Sequence, residues 1–166
     1  MNQVRVTRHL IVRYADLYAP SGGTVAAHKA VLKRLGFVWL AKFGRTIGAS
    51  RIAAIDAQAR SEVPTYVFLV KKEAGHYLAT ACKIERCVKE LTGAERKYIP
   101  DYYRSTWSVG AWFKVVEMEA FPPSALNRLI VVSSARPVSE VLSGSMAGAF
   151  IVRAEGDIAA MIATAQ

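Results

Sequence analysis

The sequence predicts an α+β domain built on a strongly curved, barrel-like β-sheet with short helices packed around it. Three observations carry that reading: strand-like runs outnumber helical ones, the helical runs are short, and the two do not alternate regularly. A doubly wound parallel sheet would need regular strand–helix alternation. At 166 residues the chain reads as one domain over 1–166. That length can bury a core without disulfides or metal.

The first strand is expected over residues 4–14, before the turn-forming run Ala19-Pro20-Ser21-Gly22-Gly23. Thr24 has the chemistry of an N-cap for a helix whose apolar stripe is Val25, Ala26, Ala30, Val31 and Leu35, stopped by Gly36. His28, Lys29, Lys33 and Arg34 fall off that stripe and are expected on a solvated basic face. Residues 37–43 are aromatic and β-branched, which makes them a strand. Residues 44–50 form a loop with Arg45 near its glycines, lacking the Gly-Lys-Ser/Thr end of a Walker loop. Residues 51–60 form a short helix that closes before Pro64.

Residues 66–71 are nearly all apolar, so the strand they form belongs in the sheet centre. A Glu-Ala-Gly turn joins them to a second strand over 75–84 as a hairpin. Residues 88–109 are the least regular part of the chain. A strand over 111–121 follows, ended by Pro122-Pro123. After it come a helical turn at 124–129, a strand at 130–132, a second turn at 137–142, a strand at 149–152 and an Ala-rich helix at 155–165.

An apolar fraction of 52% with 21% charged residues is that of a globular protein, not a disordered one. No apolar run approaches the ~18–20 residues that span a bilayer, and no secretory core is present, so a cytoplasmic setting is expected. Cys82 and Cys87 form neither a redox pair nor half a zinc site and read as buried thiols. His9, His28 and His76 are scattered, so neither metal nor cofactor is expected. There is no Gly-x-Ser-x-Gly elbow. Asp56, Glu85, Glu117 and Glu119 are isolated carboxylates, the last two sharing a strand face. The chain therefore reads as a binding module and not an enzyme.

Charge indicates the partner. Twenty-two Lys and Arg face 13 Asp and Glu, a net +9, which attracts polyanions such as nucleic acid. The irregular stretch places Tyr98, Tyr102, Tyr103 and Trp107 among Arg96, Lys97 and Arg104. Rings beside cations suit an unpaired base and its flanking phosphates. The same rings could equally anchor a long loop to the sheet.

Several short patterns occur in a fixed order: Val38-Trp39, then Arg45 through Arg51-Ile52-Ala53-Ala54, then Pro64-Thr65-Tyr66-Val67-Phe68-Leu69. Gly75-His76-Tyr77, Thr80-Ala81, Phe113-Lys114-Val115, the Pro122 to Leu126 turn and Arg136-Pro137-Val138 complete the series. In order and spacing this resembles the PUA-like superfamily, and within it the YTH and EVE domains. The resemblance implies a curved β-barrel surrounded by short helices and an aromatic cage for a modified base. YTH domains bind N6-methyladenine in RNA. EVE-like relatives in bacteria and archaea read modified bases in DNA, often beside an effector nuclease or ATPase in modification-dependent restriction.

Carried onto this chain, the cage comprises Trp39 with Leu40 beside it, and a second ring from the variable loop. Trp107 is the first choice for that ring, with Tyr102 and Tyr103 as rivals. Lys42, Arg45, Arg51, Lys71, Lys72, Arg96, Lys97 and Arg104 are the candidates for backbone phosphates. The implied function is a reader of a methylated adenine or cytosine, with modified DNA favoured and RNA possible. The alternatives are an ASCH-like small hydrolase acting on a modified nucleoside and a PUA-type RNA-binding module.

Overall fold

Alternation of apolar and polar side chains breaks down in the middle of the chain, and the sheet is organised around that break. Strand β3 (Thr65–Glu73) buries its first six residues in succession, as a strand covered on both faces does. In the computed structural model, which describes residues 6–145 and 147–165, β3 lies fourth of seven strands. The others are β1 (His9–Arg13), β2 (Val38–Phe43), β4 (His76–Val88), β5 (Val109–Phe121), β6 (Leu129–Val131) and β7 (Ala149–Ala154). Their order is β2-β5-β4-β3-β1-β7-β6.

Every neighbouring pair is antiparallel except β1 and β3. The crossover joining that parallel pair carries α1 (Gly23–Leu35), β2 and α2 (Ala49–Arg60). The strands at the two ends, β2 and β6, are not hydrogen-bonded to each other, so the barrel-like sheet stays open. The α+β architecture expected from the sequence, a strand-rich sheet with short helices around it, is the one observed.

A core lies on each face. Leu10, Val12, Val38, Leu40, Val67, Leu69, Phe113 and Val115 meet on one, covered by Val31 of α1 and by Ile52 and Ile55 of α2. Ile11, Phe68, Val70, Phe121 and Val152 meet on the other. That second face is covered by α3 (Val138–Gly144) and α4 (Ile158–Ala163) through Val138, Leu142, Ile158 and Met161. The β3–β4 hairpin closes at Ala74 and Gly75, both with positive φ (49° and 81°), the geometry that suits the twist of a two-residue turn. No helix among the described residues is long and apolar enough to cross a membrane.

Several expectations need correction. β1 is shorter than residues 4–14, of which 4 and 5 lie outside the described residues. It ends where Arg13 turns its guanidinium onto the carbonyls of Leu142 (2.7 Å) and Ser145 (2.6 Å). β4 runs past 84 to Val88 because β5 continues to pair with it as far as Trp112. The last helix begins at Ile158, not 155, since Asp157 caps it by accepting the Ala159 N–H at 3.0 Å.

Thr24 is not the cap of α1. It sits inside the first turn, and the Asp16 carboxylate accepts its N–H from outside the helix at 2.8 Å. Lys29, Lys33 and Arg34 are exposed as expected. His28 is not, having no exposed surface, because it shares the inward face with Thr24 and Val31.

Candidate nucleic-acid interface

The site begins with a distortion at the end of β2. Lys42 pairs with Ala111 and Phe43 with Val109, so the register skips Gly110. A side chain at Gly110 would overlap the Arg45 carbonyl and lie 2.8 Å from the Thr46 Cα. Only glycine lets the loop after β2 cross β5 so closely. The Gly44 N–H then donates to the Ser108 carbonyl (3.0 Å), and Phe43 is left 39% exposed.

The irregular segment between β4 and β5 contains one 3-10 turn, Gly93–Tyr98, and is held in place by Tyr103. The Tyr103 hydroxyl donates to Nε2 of His28 at 2.5 Å and accepts the backbone N–H of Ala41 at 3.1 Å. On its other side His28 donates from Nδ1 to the Thr24 carbonyl at 2.7 Å. Burial pushes the His28 pKa down to about 4, against a smaller upward pull from that carbonyl, and pushes Tyr103 well above the usual tyrosine range. Both groups are therefore neutral at pH 7, and each buried polar atom of the relay has a partner.

Around this anchor the rings gather. Trp107 lies 5.3 Å from Tyr18, 5.1 Å from Phe43 and 6.3 Å from both Tyr102 and Tyr103, centroid to centroid. Together they wall a cavity of about 620 Å³, whose lining includes the core residues Val12 of β1, Leu40 of β2 and Leu69 of β3. That volume is within the ~300–1,000 Å³ usual for small-ligand sites. Lys42 lines it and donates to the Arg45 carbonyl at 2.7 Å, with its pKa lowered by burial. Arg104 lies 5.5 Å from the Tyr18 ring and 5.7 Å from the Trp107 ring. A slot of this kind offers flat apolar surfaces to a base and cations to its phosphates.

The structure brings Leu40, Tyr102, Tyr103 and Trp107 together at this slot. Trp39 is not among its lining residues. It is 2% exposed and packs with Ala41 and Trp112, with no hydrogen-bond partner for its indole Nε1. The reason is strand alternation: Leu40 faces the main core, so its neighbour turns to the opposite face.

The expected basic ring is likewise divided. Lys42 and Arg104 stand at the slot, and Arg45 lies on the exposed loop beside Lys42. Lys71 is near the mouth but paired to Asp16 at 2.6 Å. Arg96 lines a second cavity, Lys97 lies over Tyr98, Lys72 over Tyr77, and Arg51 lines a separate cavity with Arg8 and Phe150.

Tyr18 and Phe43 are slot residues that sequence reasoning did not single out. The available signal was weak: a tyrosine between Leu17 and Ala19 in a turn, and a phenylalanine ending a strand at Gly44. Cys82 and Cys87 are buried, with both thiols pushed up to about 12 by burial, so neither is a ready nucleophile. Asp56 accepts from Arg86 and from the Cys87 N–H, each at 2.8 Å, which ties it to structure.

No curated protein and no solved structure matches the chain. A family model does: the one described as Pua-like, over residues 10–140. Domains of that kind are nucleic-acid-binding modules as a class. The matched stretch is well over half of the sequence and takes in α1 through α2, the central hairpin and every slot-lining residue but Gly148, and the chain belongs to the Pua-like family.

Proposed function

We propose that this domain reads a modified base, a methylated adenine or cytosine, by taking it into the slot walled by Tyr18, Phe43, Tyr102 and Trp107. The observation that carries the reading is a set of rings left open to solvent beside Lys42 and Arg104, over a slot lined by the core residues Val12, Leu40 and Leu69. Stacking on such rings is worth ~1–3 kcal/mol per base. A duplex target would have its base flipped out at a cost of a few kcal/mol, offset by stacking and phosphate contacts. The domain binds and does not turn over its ligand. The resemblance to EVE-like domains favours DNA over RNA, and a cytoplasmic restriction-type system with a nuclease or ATPase effector as the setting.

Discrimination follows from burial. One extra methyl enclosed by apolar walls gains ~0.8 kcal/mol, roughly fourfold in affinity. The test is a matched pair of single-stranded pentanucleotides that differ by one N6-methyl or C5-methyl group, as DNA and as RNA. Tighter binding of a methylated DNA by about fourfold or more supports the proposal. Equal affinity across every matched pair contradicts it, and tighter binding of methylated RNA moves the substrate to RNA.

A further inference from the structure

Phe43, Tyr103 and Trp107 line two cavities at once. The second, of about 510 Å³, lies beyond them and is lined also by Trp112, Ile99 and Leu91. Three cations stand on it, Lys89, Arg96 and Arg104, against one carboxylate, Glu90. Among the described residues none of these three cations forms an ion pair, whereas Lys71, Arg86 and Lys114 do. Unpaired cations converging on a ring-lined hollow call for an anion attached to something flat. Arg104 lines this second cavity while stacking near Tyr18 and Trp107 of the first, so it bridges the two.

We infer that the second cavity holds the nucleotide next to the one in the slot. Its phosphate is taken by Lys89, Arg96 and Arg104, and its base lies against the partition of Phe43, Tyr103 and Trp107. The inference rests on the base-slot reading and extends it to a footprint of two adjoining nucleotides. In physical outline, the slot selects the base, and the second cavity supplies affinity that only a polymer can use. It needs no covalent step.

The test compares two ligands on the double variant Lys89→Ala/Arg96→Ala, whose two side chains are exposed. The ligands are N6-methyl-2′-deoxyadenosine and a single-stranded DNA pentanucleotide carrying that base at its centre. The expected result is about a tenfold loss on the pentanucleotide, with nucleoside affinity unchanged. The slope of log affinity against log salt should also fall by about 0.7, the contribution of one phosphate contact on a single strand. Unchanged pentanucleotide affinity overturns the inference, and so does an equal loss on both ligands. Tyr18→Ala separates the two readings. If it leaves pentanucleotide binding intact while the double variant weakens it, the slot reading fails and the second cavity stands as a nucleotide site.

Discussion

Trp39 and Trp112 lie behind the slot and are 2% and 7% exposed, while Tyr18 and Phe43 stand at its mouth and are 58% and 39% exposed. The first pair packs with Ala41, Val88, Leu91 and Ile99 into a small cluster of its own on the outer face of β2 and β5. The second pair leaves ring surface in water, which gives up burial worth ~25 cal/mol per Å². Rings of one chemical kind thus serve two ends a few ångströms apart. Those behind hold the site's shape, and those in front are available to a ligand. Tyr103 joins the sets: its ring meets Trp112, Phe43 and Trp107, and its hydroxyl is consumed by His28 and Ala41.

That division is open to attack one ring at a time. Trp39→Ala should cost the most stability, about 3–5 kcal/mol, as expected of a fully buried tryptophan replaced by alanine. Denaturant unfolding of the variant measures it. A loss under about 1 kcal/mol would mean that Trp39 is not the packing residue described here.

Acid should act next. His28 is pushed down to about 4 from an ordinary 6.5, so the unfolded chain takes up its proton first as the pH falls. The stability that neutral His28 provides is full above pH 6.5 and is lost between there and about pH 4, on the order of 3 kcal/mol. His9 is lowered to about 4 by burial and adds to the same window. Unfolding midpoints across pH 4–7 should therefore fall toward acid, and the fall should be shallower in His28→Gln.

Tyr103→Phe keeps the ring and removes the hydroxyl, leaving the Ala41 N–H and His28 Nε2 without their partner. The expected cost is ~1–3 kcal/mol of stability by the same unfolding measurement. Smallest of all is Tyr18→Ala, which should change stability by less than ~0.5 kcal/mol. Its affinity for a pentanucleotide should nevertheless drop about tenfold, from ~1–3 kcal/mol of lost stacking.

How much of this the sequence discloses differs sharply between fold and site. The six buried residues of β3 and the turn at Ala74-Gly75 are local signals, written in consecutive residues, and they place the sheet centre and its hairpin correctly. The Pua-like family is legible in the order of short patterns and matches over residues 10–140. The slot is not local in that way. His28 meets Tyr103 across 75 residues of sequence, and no periodicity in α1 marks a histidine as the partner of a distant hydroxyl.

Trp39 is hard to place from sequence for a different reason. Its motif resembles a cage tryptophan, but which face of β2 it takes depends on the register with β5, including the skip at Gly110. Tyr18 reaches the mouth through a turn fixed by Asp16, whose partners Thr24 and Lys71 lie 8 and 55 residues away. Such positions follow from tertiary contacts and leave little trace in composition or spacing.

Which tryptophan meets the base distinguishes the open slot from the buried cluster behind it. The three indole N–H groups can be followed separately in a ¹H–¹⁵N correlation spectrum of labelled protein titrated with a methylated pentanucleotide. Trp107 should show the largest displacement, Trp112 a smaller one, and Trp39 none. A spectrum in which the Trp39 signal moves while that of Trp107 stays in place would contradict the slot as described.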